Sequence, residues 1–209
     1  MLMSTPENKP WHSLKKLLSE EIVVDRIREM ANFSAGKHAI DKPVYVRVQN
    51  GADYFADTFE RQLKDSGIDF ETGTITVKSM NGAKQGEIVL TKNYSGPDLR
   101  GRNLVILEDI VDSGNTIKYL LEHFSMMSPA MIEVIALYSK PDDRKVDVPI
   151  EDVGFNVFGF VVGSNLDYDG LYREKKGLYL TRFFPNTLKK LFEYIFPKRP
   201  IRNTSPSTA

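Results

Sequence analysis

Leu104-Val105-Ile106-Leu107-Glu108-Asp109-Ile110-Val111-Asp112-Ser113-Gly114-Asn115-Thr116-Ile117-Lys118-Tyr119-Leu120 is the stretch on which the fold turns. Its first four residues form a continuous apolar run, the pattern of a parallel strand buried on both faces. The run stops at two carboxylates, Glu108 and Asp109. From Gly114 onward the period becomes helical, with Ile117, Leu120, Leu121 and Phe124 on one face. The loop Asp112-Ser113-Gly114-Asn115-Thr116 joins the two elements. In open α/β sheets, ligands bind beyond the carboxyl ends of strands. The first turn of a helix adds unpaired N–H groups and partial positive charge. Gly114 lets the backbone curl closely around a ligand, and Ser113 and Thr116 bring hydroxyl donors. The whole is an anion cradle suited to a phosphate.

Acids beside a phosphate repel it unless they serve another purpose. Glu108 and Asp109 can accept hydrogen bonds from ribose hydroxyls, or bind Mg²⁺ that offsets the phosphate charge. A phosphorylated sugar meets both conditions. The Gly-Lys-Ser/Thr of a Walker loop and the Rossmann Gly-x-Gly-x-x-Gly are both missing. Generic cap-and-turn chemistry, as in receiver-type domains with acidic pockets, accounts for Asp112, Ser113 and Thr116 one at a time.

Outward from this segment the pattern alternates. Ser13 to Ala35 carries Leu14, Leu17, Leu18, Ile22, Val23, Ile27 and Met30 mostly at three- and four-residue steps, predicting a helix. Val44 to Val48 reads as a strand. Gly51 opens a second helical pattern, with Tyr54, Phe55, Phe59 and Leu63 inward and Asp65-Ser66-Gly67 as its stop. Phe70 to Met80 and Glu87 to Lys92 read as strands, joined through Asn81 to Gly86 by a hairpin turn or a mobile loop. Met131 to Tyr138, Phe155 to Val162 and Gly177 to Phe183 are further strands. This alternation is the α/β pattern with a central, mostly parallel sheet. Residues 1–11 read as a flexible arm and 12–184 as the folded domain. Residues 185–197 read as an amphipathic helix with Leu188, Leu191, Phe192 and Ile195 on one face, and 198–209 as a disordered tail. The helix is expected to dock on the domain or a subunit partner. A membrane-surface role, suggested by Lys189, Lys190, Lys198 and Arg199, is the lesser reading.

Composition narrows the chemistry. The 209 residues carry 28 basic and 28 acidic side chains, so there is no general pull toward nucleic acid or membrane. The absence of cysteine excludes disulfides, thiol nucleophiles and Cys-based metal sites. His12, His38 and His123 are widely spaced, so a metal is expected to be hard and oxygen-bound. No secretory leader or apolar span is evident, and a cytoplasmic location is expected.

Val105 to Thr116 closely resembles the phosphoribosyl pyrophosphate signature of the phosphoribosyltransferases. From about Val44 to Leu180 the chain is similar to the hypoxanthine-guanine branch of that family. The resemblance implies a type I fold, with a small hood built from the N-terminal part and the segment after Tyr138. It implies that Gln49, Asn50 and Gly51 form a pyrophosphate loop, with Arg173 assisting, and that Lys78 and Ser79 begin a mobile lid. Lys140 would contact a purine 6-oxo group, and Phe160, Val161 and Asp167 would complete the base site. Glu108, Asp109, Ser113, Gly114, Asn115 and Thr116 would hold the ribose and its phosphate. Asp112 would be the general base, and Asp167, Glu108 and Asp109 would face Mg²⁺. The expected partners are phosphoribosyl pyrophosphate, a purine base and further copies of the chain in a homodimer or homotetramer.

Lysine carries only donors, so Lys140 in that place would favour a 6-oxo group over a 6-amino group. The chain departs from the family at several points. Gln49 stands where a basic residue is usual, Met80 follows Ser79 in place of tyrosine, Asn115 replaces a lysine, and Ser113 replaces a threonine. Ser113 retains the hydroxyl, but the two lost basic residues weaken anion binding. Gln49, Met80 and Asn115 keep open a second reading, a weakly catalytic regulator that binds purine nucleotide or phosphoribosyl pyrophosphate.

Overall fold

The computed structural model describes residues 14–79, 88–167, 171–181 and 195–197. In chain order the elements are β1 (Lys15–Leu18), α1 (Glu20–Lys37), β2 (Val44–Gln49), α2 (Asp53–Asp65), β3 (Glu71–Ser79), β4 (Ile88–Ser95) and β5 (Asn103–Val111). They continue with α3 (Asn115–Ser125), β6 (Met131–Ser139), a 3-10 turn at Pro141–Asp143, β7 (Asp152–Asn156), β8 (Val161–Val162) and β9 (Leu178–Leu180). Six strands form one sheet in the order β4-β3-β2-β5-β6-β7, and three form another in the order β1-β9-β8. In the larger sheet β3, β2, β5, β6 and β7 run parallel, and β4 is antiparallel to β3. This is the expected α/β core. The smaller antiparallel sheet is the hood, drawn from the N-terminal part and from residues after Tyr138.

Strand β5 lies inside the sheet, and Leu104 to Asp109 are all buried. Alternate side chains point to opposite faces. Val105 and Leu107 pack with Val23, Ile27 and Met30 of α1 and Phe55, Phe59 and Leu63 of α2. Leu104 and Ile106 pack with Ile117, Leu120 and Phe124 of α3. Both faces being covered explains the uninterrupted apolar run. The sheet therefore sends its carboxyl ends, with their polar residues, to one edge of the core.

Two expectations need correction. The helix predicted from Ser13 begins at Glu20, because residues 15–18 pair with Leu178–Leu180 instead. Ser19 is extended (φ −75°, ψ 164°) and its hydroxyl accepts the Ile22 N–H at 3.4 Å, which sets the helix start. Leu17 and Leu18 match the helical period, but hood pairing decides their conformation. The strand predicted over Phe155–Val162 is two strands in different sheets, β7 and β8. Gly159, at φ +64°, breaks it.

The arm over 1–11, the connection Asn81 to Gly86, and the tail over 198–209 lie outside the described residues, as does most of the helix predicted over 185–197. Of that segment Ile195 is buried with the core, and the Phe196 ring meets Phe155 at 5.5 Å. Among the described residues no helix is long and apolar enough to cross a membrane.

Candidate active site

A cavity of about 420 Å³ opens at the carboxyl ends of β2, β3 and β5, beneath the hood. It brings together Gln49, Asn50, Gly51, Lys78, Glu108, Asp109, Asp112, Thr116, Lys140, Phe160, Val161, Asp167 and Arg173. Residues singled out from six separate stretches of sequence thus share one space. Ser113, Gly114 and Asn115 do not line the cavity wall; they form the turn behind Asp112 and Thr116. Lys78 lies in β3 at the rim, whereas the side chain of Ser79 and residues from Met80 to Glu87 lie outside the described residues.

The turn owes its shape to Gly114. Its φ of +89° is the left-handed region, and a Cβ there would collide with the Val146 carbonyl. α3 begins immediately afterwards, without a side-chain cap. Its first-turn N–H groups are therefore not taken by a capping side chain, apart from a long 3.4 Å bond from Asn115 N to Ser113 Oγ. The segment after β6 folds over this turn. Lys145 N and Val146 N donate to the Ser113 carbonyl at 3.0 Å, and Arg144 Nε donates to the Asp112 carbonyl at 3.2 Å. Arg144 also reaches Ser139 Oγ at 2.8 Å.

Asp112 and Lys140 face each other. Lys140 Nζ donates to Asp112 Oδ2 at 2.7 Å, with the lysine side chain 11% exposed and the aspartate 52% exposed. Lys140 is held in place by its own N–H, which donates to the Val111 carbonyl at 2.9 Å. The two charges meet because β5 and β6 are parallel neighbours with Val111 opposite Ser139. Phe160, partly exposed at 42%, closes the hood side of the same space.

Glu108 and Asp109 form a buried acidic pair. Burial pushes the Glu108 carboxyl well above the usual carboxylate range, and the neighbouring Asp109 charge adds to the rise. Glu108 Oε2 is buried with no hydrogen-bond partner. Burial also raises Asp109, against the lowering effect of hydrogen bonds from Glu108 and the Ile110 N–H. Gly51 is close enough that a Cβ there would collide with the Asp109 carboxylate. Glycine is required at that point for the loop to reach the acids.

Arg173 and Asp167 are paired, Nη2 to Oδ1 at 2.7 Å. Asp167 does not join Glu108 and Asp109 in a preformed cage, and among the described residues no three His, Asp or Glu side chains are grouped to hold a metal. The donor set still fits Mg²⁺. That ion commonly takes one or two carboxylates and completes its shell with water and substrate phosphate oxygens. Glu108 with its unsatisfied oxygen, and Asp109, supply such donors.

Residues that sequence reasoning missed include Arg144 and Asn165, whereas Leu166, which the resemblance put in the base-binding segment, is in the cavity wall. Arg144 braces the turn after β5. Asn165 Nδ2 donates to the Asn50 and Gly51 carbonyls at 2.6 and 2.9 Å. The turn-forming run Gly163-Ser164-Asn165 was the only local signal, and it says nothing of a partner more than a hundred residues away.

Comparison with known proteins agrees with this geometry. The phosphoribosyl transferase domain matches residues 13–169. The hypoxanthine-guanine phosphoribosyltransferase of Bacillus subtilis is 30% identical over 164 residues, covering 78% of this chain and 90% of that protein. A structure of hypoxanthine phosphoribosyltransferase from Trypanosoma cruzi, in complex with the product IMP, superposes with a TM-score of 0.75. The identity is 26%, covering 85% of this chain and 98% of that one. A second structure of the T. cruzi enzyme concerns the role of its C-terminal region in oligomeric state and activity. It matches with a TM-score of 0.75 and 26% identity, over 83% and 94% of the two chains.

Proposed function

The chain belongs to the phosphoribosyltransferase family, and we propose that it transfers a phosphoribosyl group from 5-phosphoribosyl 1-pyrophosphate to a 6-oxopurine, hypoxanthine or guanine. The products are the nucleoside 5′-monophosphate and pyrophosphate, and the role is purine salvage. The observation that carries this reading is the Lys140–Asp112 pair at the mouth of a phosphate turn, opposite Phe160.

The assignment of roles follows the cavity. The first turn of α3, with Thr116 and the turn Ser113-Gly114-Asn115, receives the 5′-phosphate. Glu108 and Asp109 accept hydrogen bonds from the ribose hydroxyls. The base lies against Phe160 and Val161, and aromatic stacking of a base is typically worth ~1–3 kcal/mol. Lys140 donates to the 6-oxo group. The loop Gln49-Asn50-Gly51 and Arg173 receive the pyrophosphate, and Lys78 and Ser79 belong to a lid over it. Asp167 sits between base and pyrophosphate.

In the reaction the bond from the ribose C1′ to pyrophosphate oxygen breaks, and that oxygen keeps the electron pair. The purine nitrogen bonds to C1′. The base gives up its N7 proton to Asp112, whose carboxylate Lys140 holds ready in the free enzyme. Glu108 and Asp109, or Asp167, would hold Mg²⁺ together with the donor's oxygens, and the ion would supply charge neutralisation for the departing pyrophosphate.

A cytoplasmic location belongs to this reading, as does assembly into a homodimer or homotetramer. The burial of Ile195 and the Phe155–Phe196 contact favour docking of the C-terminal segment onto protein over a membrane role. Incubating the chain with donor, Mg²⁺ and each purine base, then separating nucleotides by chromatography, tests the function. Nucleotide is expected from hypoxanthine or guanine. No product from any base, with nucleotide still bound, would favour the regulatory reading instead.

A further inference from the structure

We propose that Asn165 is a positioning residue that clamps the pyrophosphate loop to the hood, so that the donor's leaving group is bound by backbone held from across the cleft. The inference rests on the functional reading above. Asn165 does not line the cavity itself. Its side chain reaches out of the hood and donates to two carbonyls of the opposite loop, Asn50 O at 2.6 Å and Gly51 O at 2.9 Å. Both partners are acceptors, so only the amide NH₂ can make the contact; an isosteric carboxylate has no proton to give.

The clamp is fixed at its hood end. Gly163 and Leu166 exchange both backbone hydrogen bonds at 3.0 Å, and Ser164 N donates to the Lys175 carbonyl at 2.8 Å. Ser164 Oγ donates to the Gly177 carbonyl at 3.2 Å. Asn165 sits at φ +75°, a left-handed conformation that asparagine adopts more readily than most residues. Its own carbonyl accepts from Arg173 Nη1 at 2.9 Å, and the same guanidinium pairs with Asp167. One residue thus ties the pyrophosphate loop, the pyrophosphate arginine and the base-side turn into a single unit.

The loop has reason to need this. Gln49 brings no charge to a pyrophosphate, so binding there falls to backbone groups whose value depends on their being held in place. Among the described residues, the side-chain hydrogen bonds recorded to the Asn50 and Gly51 carbonyls both come from Asn165.

Two variants separate the clamp from backbone strain. Asn165→Gly keeps the left-handed conformation and removes the amide, whereas Asn165→Asp keeps the shape and removes the donors. In full-length protein both are expected to raise the donor KM and weaken Mg-pyrophosphate binding by roughly tenfold, as the loss of the amide's hydrogen bonds implies. The base KM should change by less than about twofold. Amide hydrogen exchange over residues 50–55 should quicken in both variants, while exchange in β5 and β6 stays as in the parent. If both variants keep the parent's donor KM, pyrophosphate affinity and loop exchange, the clamp is overturned. An inactive parent would instead overturn the functional reading, and the pyrophosphate titration and loop exchange would still decide the clamp.

Discussion

Lys140 Nζ donates to Asp112 Oδ2 across 2.7 Å, joining the end of β6 to the turn after β5. On the proposed assignment, a base entering beneath Phe160 would compete for this lysine. With the ammonium turned to the 6-oxo group, the Asp112 carboxylate would be left to take a proton. The pair would then couple recognition of the base to activation of Asp112.

Asp112→Asn keeps the shape of the side chain and removes its basicity. Turnover should fall by ~10²–10⁴-fold, the usual contribution of a positioned general base. The melting temperature should stay close to the parent's, since Asp112 is half exposed. A steady-state assay showing unchanged kcat would remove Asp112 from the role.

Lys140→Met removes the donor and keeps the apolar stem. A hydrogen bond to a charged group is worth about 1.5–3 kcal/mol, so the preference in kcat/KM for hypoxanthine over adenine should drop by roughly 10–100-fold. Competition between the two bases in one reaction measures the ratio directly. An unaltered preference would place the discrimination elsewhere in the cavity.

Glu108 predicts a pH dependence of stability. Its carboxyl is raised well above the ordinary 4.5 by burial, then by Asp109. The folded protein thus holds this proton more tightly than the unfolded chain does. The stability it contributes is fully present below about 4.5 and is lost as pH rises through the folded value. Glu108→Gln mimics the protonated acid. Thermal melts should show the variant gaining on the parent as pH rises above 4.5, with little difference at the acid end. Parallel pH profiles would contradict the assignment.

Gly114→Ala should be costly to the fold and to phosphate binding together. The substitution forces alanine to φ +89° and drives its Cβ into the Val146 carbonyl. A non-glycine residue held in a sparsely populated region costs about 1–3 kcal/mol. A melting temperature lowered by several degrees, with a raised donor KM, is the expected pair of results. A variant as stable as the parent would mean that the turn relaxes freely.

The sheet was legible because its strands carry their burial in their composition. Leu104 to Leu107 is apolar throughout since α1 and α2 cover one face and α3 the other. Val44, Tyr45, Val46 and Val48 are buried in the same sheet, and Arg47 among them is paired with Asp57 and Glu60. The hood was less legible. β1 and β8 are short, and their conformation is set by pairing with β9 rather than by any period of their own. Leu17 and Leu18 accordingly looked helical. In the site, Glu108 to Thr116 stood out because strand end, turn and helix start are contiguous in sequence. Arg144 and Asn165 did not, because each acts through a hydrogen bond to a residue far along the chain, and no local pattern encodes its partner.

The central claim is tested most directly in a single turnover, with the protein in excess over phosphoribosyl pyrophosphate so that even a slow reaction is seen. With Mg²⁺ and hypoxanthine present, donor should be converted to equal amounts of inosine monophosphate and pyrophosphate, and adenine should yield neither at a comparable rate. Donor recovered intact beside hypoxanthine and guanine would contradict the account.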